Sequence, residues 1–137
     1  VEEINFTPEE LQIIENGLTT DFVTQINNEL ENNEVPPSFS TYSVQTKAVK
    51  AALKAVVKNK NKLVNAVGKV AGRDAAVKVG AALNTVMPVF NKLLKYQNLA
   101  YSTVQDQVAS ALISAGIKSS SARSLAYWIR QGLEWVV

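Results

Sequence analysis

Apolar residues recur along most of the chain at intervals of three and four, the spacing that places them on one face of an α-helix. The alternation of apolar and polar residues that is typical of a half-buried strand is almost absent. Every strong segment has the helical period. The sequence therefore predicts an all-α fold, a compact bundle of about six to eight short amphipathic helices.

Capping residues, glycines and prolines divide this pattern into segments. Thr7-Pro8-Glu9-Glu10 combines a cap, a proline at the first helical position and a glutamate at the third, which predicts a helix that ends at Gly17. Five further stretches are expected to be helical: Thr20–Asn32, a helix capped by Ser43, Asp74–Met87 with Asp74 as cap and a kink or restart at Pro88, Leu99–Ala115, and a last helix capped by Ser119–Ser121.

The last predicted helix has the broadest apolar face of the chain. At about 100° per residue, seven residues fall in one arc: Leu125, Trp128, Ile129, Gly132, Leu133, Trp135 and Val136. Arg123 and Arg130 lie on the opposite side, with Tyr127 beside them. Such a helix suits either the core of a helical bundle or the interface of a membrane.

Charge is distributed unevenly. Residues 1–46 contain nine acidic groups and no Lys or Arg, whereas residues 47–137 contain all fourteen basic groups and three acidic ones. The formal net charge of +2 therefore combines −9 with +11. This asymmetry favours an acidic segment that covers a cationic one, or an acidic tail on a cation-binding surface.

Lysines dominate one face of the helix that follows residue 43. If that helix is continuous, six lysines project within about 90° of one another: Lys47, Lys50, Lys54, Lys58, Lys62 and Lys69. An interruption at Asn59-Lys60-Asn61 would give two helices instead. This lysine stripe could contact phosphate, teichoic acid or an anionic membrane, form an ordinary solvated face, or be partly neutralised by the preceding acidic residues.

The residue types present exclude several kinds of chemistry. The chain has no cysteine and no histidine, which removes thiol nucleophiles, disulfides, imidazole bases and the usual zinc ligands. Helix capping explains Glu9 and Glu10, and no phosphate-binding glycine loop occurs, so we expect neither an enzyme nor a cofactor or metal. Arginine is scarce and no nucleic-acid reading motif occurs, so nucleic acid is not an expected partner.

Two arrangements account for these features. In one, an acidic N-terminal part masks a cationic, apolar C-terminal part until a protease separates them. In the other, the chain is a stable helical bundle that serves as a non-enzymatic interaction or immunity module. The start at Val1-Glu2-Glu3 fits a chain already trimmed of a secretion signal, although a cloning boundary explains it equally well.

The region Asp74–Val137 combines a Gly/Ala-rich helix with the end Ser-Leu-Ala-Tyr-Trp-Ile-Arg-Gln-Gly-Leu-Glu-Trp-Val-Val. In these features it resembles the secreted bacteriocins of lactic acid bacteria. The resemblance implies export, then a cut by an extracellular metalloprotease that releases an active C-terminal half with antibacterial activity and with activity against fungal hyphae and biofilm. Since such proteases favour an apolar residue after the cut, the candidate bond is Lys69–Val70. The chain lacks the cysteine pair associated with that group.

These observations lead to one hypothesis, a secreted, extracellular and monomeric bacteriocin precursor. Residues 1–69 would be a helical pro-region folded against a cationic active module, residues 70–137. The expected partners are the protease and the anionic membrane or cell-wall polymer of target cells. The residues expected to contact that surface are Lys92, Lys95, Arg123, Tyr127, Trp128, Arg130 and Trp135.

Overall fold

The computed structural model describes residues 4–29 and 45–136. Within these residues the chain forms seven α-helices and no strand, which confirms the predicted all-α bundle. The helices are α1 (Pro8–Asn16), α2 (Thr20–Glu29), α3 (Thr46–Lys58), α4 (Asn61–Ala71), α5 (Arg73–Leu93), α6 (Tyr101–Ser114) and α7 (Ser119–Val136). None of the helices in this part of the chain is both long and apolar enough to cross a membrane.

The start and end of α1 follow the predicted capping rules. The Thr7 N–H donates to Oε1 of Glu10 at 2.8 Å, and the Glu10 N–H donates to Oγ1 of Thr7 at 3.2 Å, which completes a capping box. Gly17 closes the helix at a φ of 76°, a conformation that a side chain disfavours. The predicted end of the second helix at Asn32 and the cap Ser43 lie outside the described residues.

The lysine-bearing segment forms two helices, the second of the two alternatives that its sequence allowed. α3 ends at Lys58, Asn59 is extended with φ −149° and ψ 94°, and α4 begins at Asn61. Oδ1 of Asn59 accepts the Asn61 N–H at 3.1 Å, which satisfies a donor that the first turn of α4 leaves free. The other alternative, one continuous helix with a single stripe of six lysines, is therefore wrong.

α5 differs from the prediction at both of its marked positions. Gly72, with a φ of 98°, precedes the helix, which begins at Arg73, so Asp74 lies in the first turn instead of capping it. Pro88 lies inside α5, which continues to Leu93, so the predicted restart is wrong. Proline removes one helical hydrogen bond, and burial of the helix on both sides of it offsets that loss.

One hydrophobic core includes residues from all seven helices. α7 packs most extensively against α6 and α4. At the crossing of α4 and α7, a Cβ on Gly132 would lie 2.6 Å from Cδ1 of Leu63 and 2.9 Å from Cγ2 of Val67, so glycine allows the close approach. The core draws on residues from both predicted segments, 1–69 and 70–137.

The serine run before the last helix has a different place from the predicted one. α7 begins at Ser119, so the run forms the first turn of the helix instead of preceding it. Ser121 is fully buried, and its Oγ has no hydrogen-bond partner among the described residues. α6 starts at Tyr101, two residues after the predicted start, and Gly116, with a φ of 103°, follows its end.

Candidate cationic surface and cleft

The N-terminal segment, residues 4–29, is fitted to the rest of the bundle at two glycines. A Cβ on Gly80 of α5 would lie 2.9 Å from Cγ1 of Ile14, so Ile14 occupies the space of the missing side chain. Ile4 lies against Gly68 of α4 in the same way, since a Cβ there would overlap its Cδ1. The acidic segment therefore covers small-residue positions of the basic part.

Arg73, at the start of α5, binds this segment through hydrogen bonds and an ion pair. Its Nε and Nη2 donate to the two carboxylate oxygens of Glu10 at 2.9 and 2.5 Å, and Nη2 donates to the Asn5 carbonyl oxygen at 2.6 Å. Its Cζ lies 5.8 Å from the centroid of the Phe6 ring. The hydrogen bond from Arg73, followed by that from the Thr7 N–H, lowers the pKa of Glu10 to about 2.

A second ion pair joins α2 to α5. Nζ of Lys78 lies 2.9 Å from Oε2 of Glu29, and the hydrogen bonds from Lys78 and then Gln25 lower the pKa of Glu29. Both ion pairs of the acidic segment within the described residues therefore go to α5. Among the described residues, no acidic group of this segment forms an ion pair with a lysine of the stripe, and the other acidic residues in that alternative, Glu2, Glu3, Glu31 and Glu34, lie outside the described residues.

Four of the stripe lysines remain on one face of α3, here termed the α3 lysine face: Lys47, Lys50, Lys54 and Lys58. Lys50 is half-buried and the other three are exposed. The opposite face of α3 is fully buried in the core through Val49, Leu53 and Val56. No ion pair in the described part of the chain involves these lysines, so among the described residues the α3 lysine face is a cationic surface without a paired carboxylate.

A cleft of about 390 Å³ opens between α4 and the end of α7. This Trp135 cleft is lined by Asn59, Asn61, Lys62, Asn65, Ala66, Lys69, Trp135 and Val136. The Trp135 side chain is 67% exposed, although it belongs to the predicted apolar arc. Gly132, nearly one turn earlier, fixes the close crossing of α7 and α4, so the indole is held beside α4.

The two tryptophans of α7 have different surroundings. Trp128 is half-buried and packs against the core, and Tyr127 is also half-buried. The predicted apolar arc is therefore buried at Ile129 and Leu133 but exposed at Trp135. The Trp135 cleft pairs this residue with Lys62 and Lys69, which the sequence had assigned to the lysine stripe.

The predicted basic contacts also differ in their availability. Lys92, Lys95 and Arg123 are exposed. The Arg130 side chain is only 18% exposed, and it bonds Oε1 of Gln105 at 3.3 Å and Oε1 of Glu134 at 3.4 Å. Arg130 is thus engaged within the protein.

Glu134 acts on a second neighbour besides Arg130. Burial, followed by the negative charge of Glu134, raises the pKa of Tyr101 above its ordinary value.

The candidate processing bond lies within a helix. Lys69 and Val70 are both exposed, with Val70 at 41%, but they belong to the last turn of α4. A protease would have to unwind this turn, and the cut would separate α4 from α5. The bond is accessible only through local unfolding of a helix that packs against α7 and α5.

Comparison with known proteins yields one family. A sequence model of the family described as uncharacterised protein YqxI matches residues 41–136, about 70% of the chain. The chain belongs to this family. The YqxI match leaves out the nine acidic groups of the N-terminal part and continues without a break through the Lys69–Val70 bond. No curated protein and no solved structure matches the chain.

Sequence reasoning missed the asparagines of the Trp135 cleft. Asn59 and Asn61 appeared only as an interruption of a lysine-rich helix, and Asn65 was not singled out. A polar position gives no sign of which other helix it faces. Their recurrence with Lys62 and Lys69 along one side of α4 was the available signal. The pairing of that side with the end of α7 is set by the tertiary fold.

Proposed function

We propose that this chain is a secreted antimicrobial protein of the bacteriocin type, which acts at the anionic surface of target cells. An extracellular protease separates its acidic N-terminal segment from the cationic helices. The observation that carries the proposal is the division of charge in the fold: the acidic segment is clamped to α5, while the α3 lysine face carries no compensating charge in the described residues.

The α3 lysine face is the surface that the proposal assigns to target cells. A lysine near an anionic membrane contributes roughly 1 kcal/mol of binding free energy, and lysines on one rigid helix face can contact the same surface at once. Phosphate-bearing wall polymers present the same charge. Lys92, Lys95 and Arg123 remain proposed as additional contacts, and Trp135 is the proposed aromatic contact, whereas the packing of Trp128 favours a structural role.

We place the boundary between the covering segment and the active part near residue 41 instead of at Lys69–Val70. Two observations support this choice. The YqxI match begins there, after the last acidic residue of the N-terminal part. A cut at Lys69–Val70 would also remove Leu63 and Val67 from the face of α7 that they cover.

Removal of the segment would change the surface of α5 as well as the net charge. Arg73 and Lys78 would lose their carboxylate partners, and Gly80 would lose its contact with Ile14. The active part would thereby gain two unpaired cations beside a newly exposed apolar area. This combination is typical of surfaces that associate with anionic lipid or polymer.

Limited digestion of the full chain with a thermolysin-like protease tests the proposal. We expect a stable product that begins near residue 41, inhibits the growth of Gram-positive indicator cells and binds them more strongly than the full chain. A product that begins at Val70 and is active would restore the Lys69–Val70 boundary. A resistant chain without effect on bacterial or fungal cells would contradict the antimicrobial proposal.

A stable helical interaction or immunity module is the second candidate. The single core that joins α1 to α7 favours it, because such a core does not require cleavage to be functional. This candidate predicts that the intact chain is the active form and that a protein partner binds it. Co-expression with a bacteriocin should then protect sensitive cells.

A further inference from the structure

We propose that the Trp135 cleft binds a sugar ring that carries a phosphate, as a repeating unit of an anionic glycan does. The inference deepens the proposed function and rests on it only for the source of the glycan, the surface of a target cell. The first observation is the aromatic side chain: Trp135 is 67% exposed in a cleft of about 390 Å³, close to the lower end of the roughly 300–1,000 Å³ that ligand pockets span.

Several side chains of the cleft can donate hydrogen bonds. Oδ1 of Asn59 accepts the Asn61 N–H at 3.1 Å, and Oδ1 of Asn65 accepts the Ile4 N–H at 3.2 Å. Each of these oxygens thus has one partner already, and the Nδ2 amide groups of the two asparagines remain as donors to a ligand. Lys62 adds an ammonium group, and none of the described residues that line the cleft carries a carboxylate.

Donors and an indole face together select the ligand. Phosphate oxygens and sugar hydroxyls accept hydrogen bonds from amides and ammonium groups, and the ammonium groups also favour a negative charge. The apolar C–H face of a sugar ring fits against the exposed indole. Because Lys62 and Lys69 lie two turns apart on α4, they can reach successive phosphates or two sides of one unit.

A lipid surface fits the cleft less well. Insertion into a membrane needs a contiguous apolar face, but the other large exposed apolar residues of the described part lie on three different helices: Leu11 on α1, Val70 on α4 and Ile113 on α6. A nucleotide also has a ring and a phosphate, but the described residues of the cleft present one aromatic side chain and no arginine to a base.

Nuclear magnetic resonance on the full chain tests the inference. The probe is glucose 1-phosphate, compared at equal concentration with glucose, inorganic phosphate, adenosine monophosphate and phosphatidylglycerol vesicles. We expect the Trp135 indole signal and the side-chain amide signals of Asn59 and Asn65 to shift most with glucose 1-phosphate. Larger shifts with the nucleotide or the vesicles, or none with any probe, would overturn it.

Matched variants assign the effect to the cleft. Trp135→Ala should weaken binding of glucose 1-phosphate about fivefold to tenfold, and Lys62→Gln should weaken binding of the phosphorylated sugar without changing that of glucose. Lys118→Gln, which removes an exposed lysine that does not line the cleft, should change neither. Equal losses in Lys62→Gln and Lys118→Gln would mean that net charge, and not the cleft, binds the ligand.

The inference and the proposed function can fail separately. Binding that follows this pattern in a chain without antimicrobial activity, whole or cleaved, would leave the cleft assignment intact and refute the function. Growth inhibition by a chain whose Trp135 cleft binds none of the probes would refute the cleft assignment and leave the proposed function intact.

Discussion

Replacement of Gly80 by alanine tests whether α1 occupies a fitted position on α5. The new Cβ would lie 2.9 Å from Cγ1 and 3.2 Å from Cγ2 of Ile14, closer than packed carbon atoms tolerate. Overpacking of this kind costs about 1–3 kcal/mol, whereas a helical Gly→Ala substitution gains about 1 kcal/mol. The free energy of unfolding should therefore fall by about 0–2 kcal/mol.

When Ile14 is shortened, Gly80→Ala should change the free energy of unfolding in the opposite direction. In an Ile14→Ala chain the atoms that crowd the new Cβ are absent, so Gly80→Ala retains the helical gain and raises the free energy of unfolding by about 1 kcal/mol. The two substitutions are thus coupled by about 1–3 kcal/mol, well above the ~0.5 kcal/mol expected of independent sites.

Urea denaturation of the four full-length chains, followed by helical circular dichroism, measures this coupling. Gly68→Ala is the control. The Cβ there meets the terminal Cδ1 of Ile4, which can rotate away, so this substitution should lower the free energy of unfolding less than Gly80→Ala does. If Gly80→Ala raises stability equally in both backgrounds, Ile14 does not occupy the position that the structure gives it.

Three further predictions concern single groups. The hydrogen bond from Arg73 holds the pKa of Glu10 at about 2, below its ordinary value of 4.5, so the stabilisation by this pair is complete above about pH 4.5 and is lost as the pH falls through about 2. Protection of the α1 amides from hydrogen exchange should fall over the same pH range, and Glu10→Gln should remove this dependence. Ser121→Ala should raise the free energy of unfolding by about 1 kcal/mol in urea denaturation, because the buried hydroxyl has no hydrogen-bond partner among the described residues. A decrease would mean that the hydroxyl does have a partner. Trp135→Ala should change the free energy of unfolding by less than about 0.5 kcal/mol and Trp128→Ala should lower it by about 2 kcal/mol; equal effects would contradict their different burial.

The fold class and the bounds of α1 were predictable because they depend on local chemistry. The capping box of Thr7 and Glu10 and the left-handed Gly17 follow from residue type and spacing alone. Pro88 shows the limit of such rules, since burial of α5 on both sides keeps the helix intact across a residue that usually ends one.

The candidate site was less predictable because it depends on which helices meet. Helical periodicity places Trp128 and Trp135 on the same arc, yet the first packs against the core and the second borders a cleft with α4. Charge asymmetry left open how the acidic segment meets the basic part, and it gave no sign that Glu10 and Glu29 would pair with α5 and not with the α3 lysine face.

A comparison of two triple variants tests the central claim most directly. One replaces Lys47, Lys54 and Lys58 of the α3 lysine face with glutamine, and the other replaces Lys92, Lys95 and Arg123; both remove three exposed charges. Binding of the cleaved protein to Gram-positive cells and inhibition of their growth are measured for each. At roughly 1 kcal/mol for each charge, the first variant should lose up to about two orders of magnitude in affinity and the second much less. Equal losses, or a larger loss in the second, would contradict the assignment of the α3 lysine face as the surface that meets the target cell.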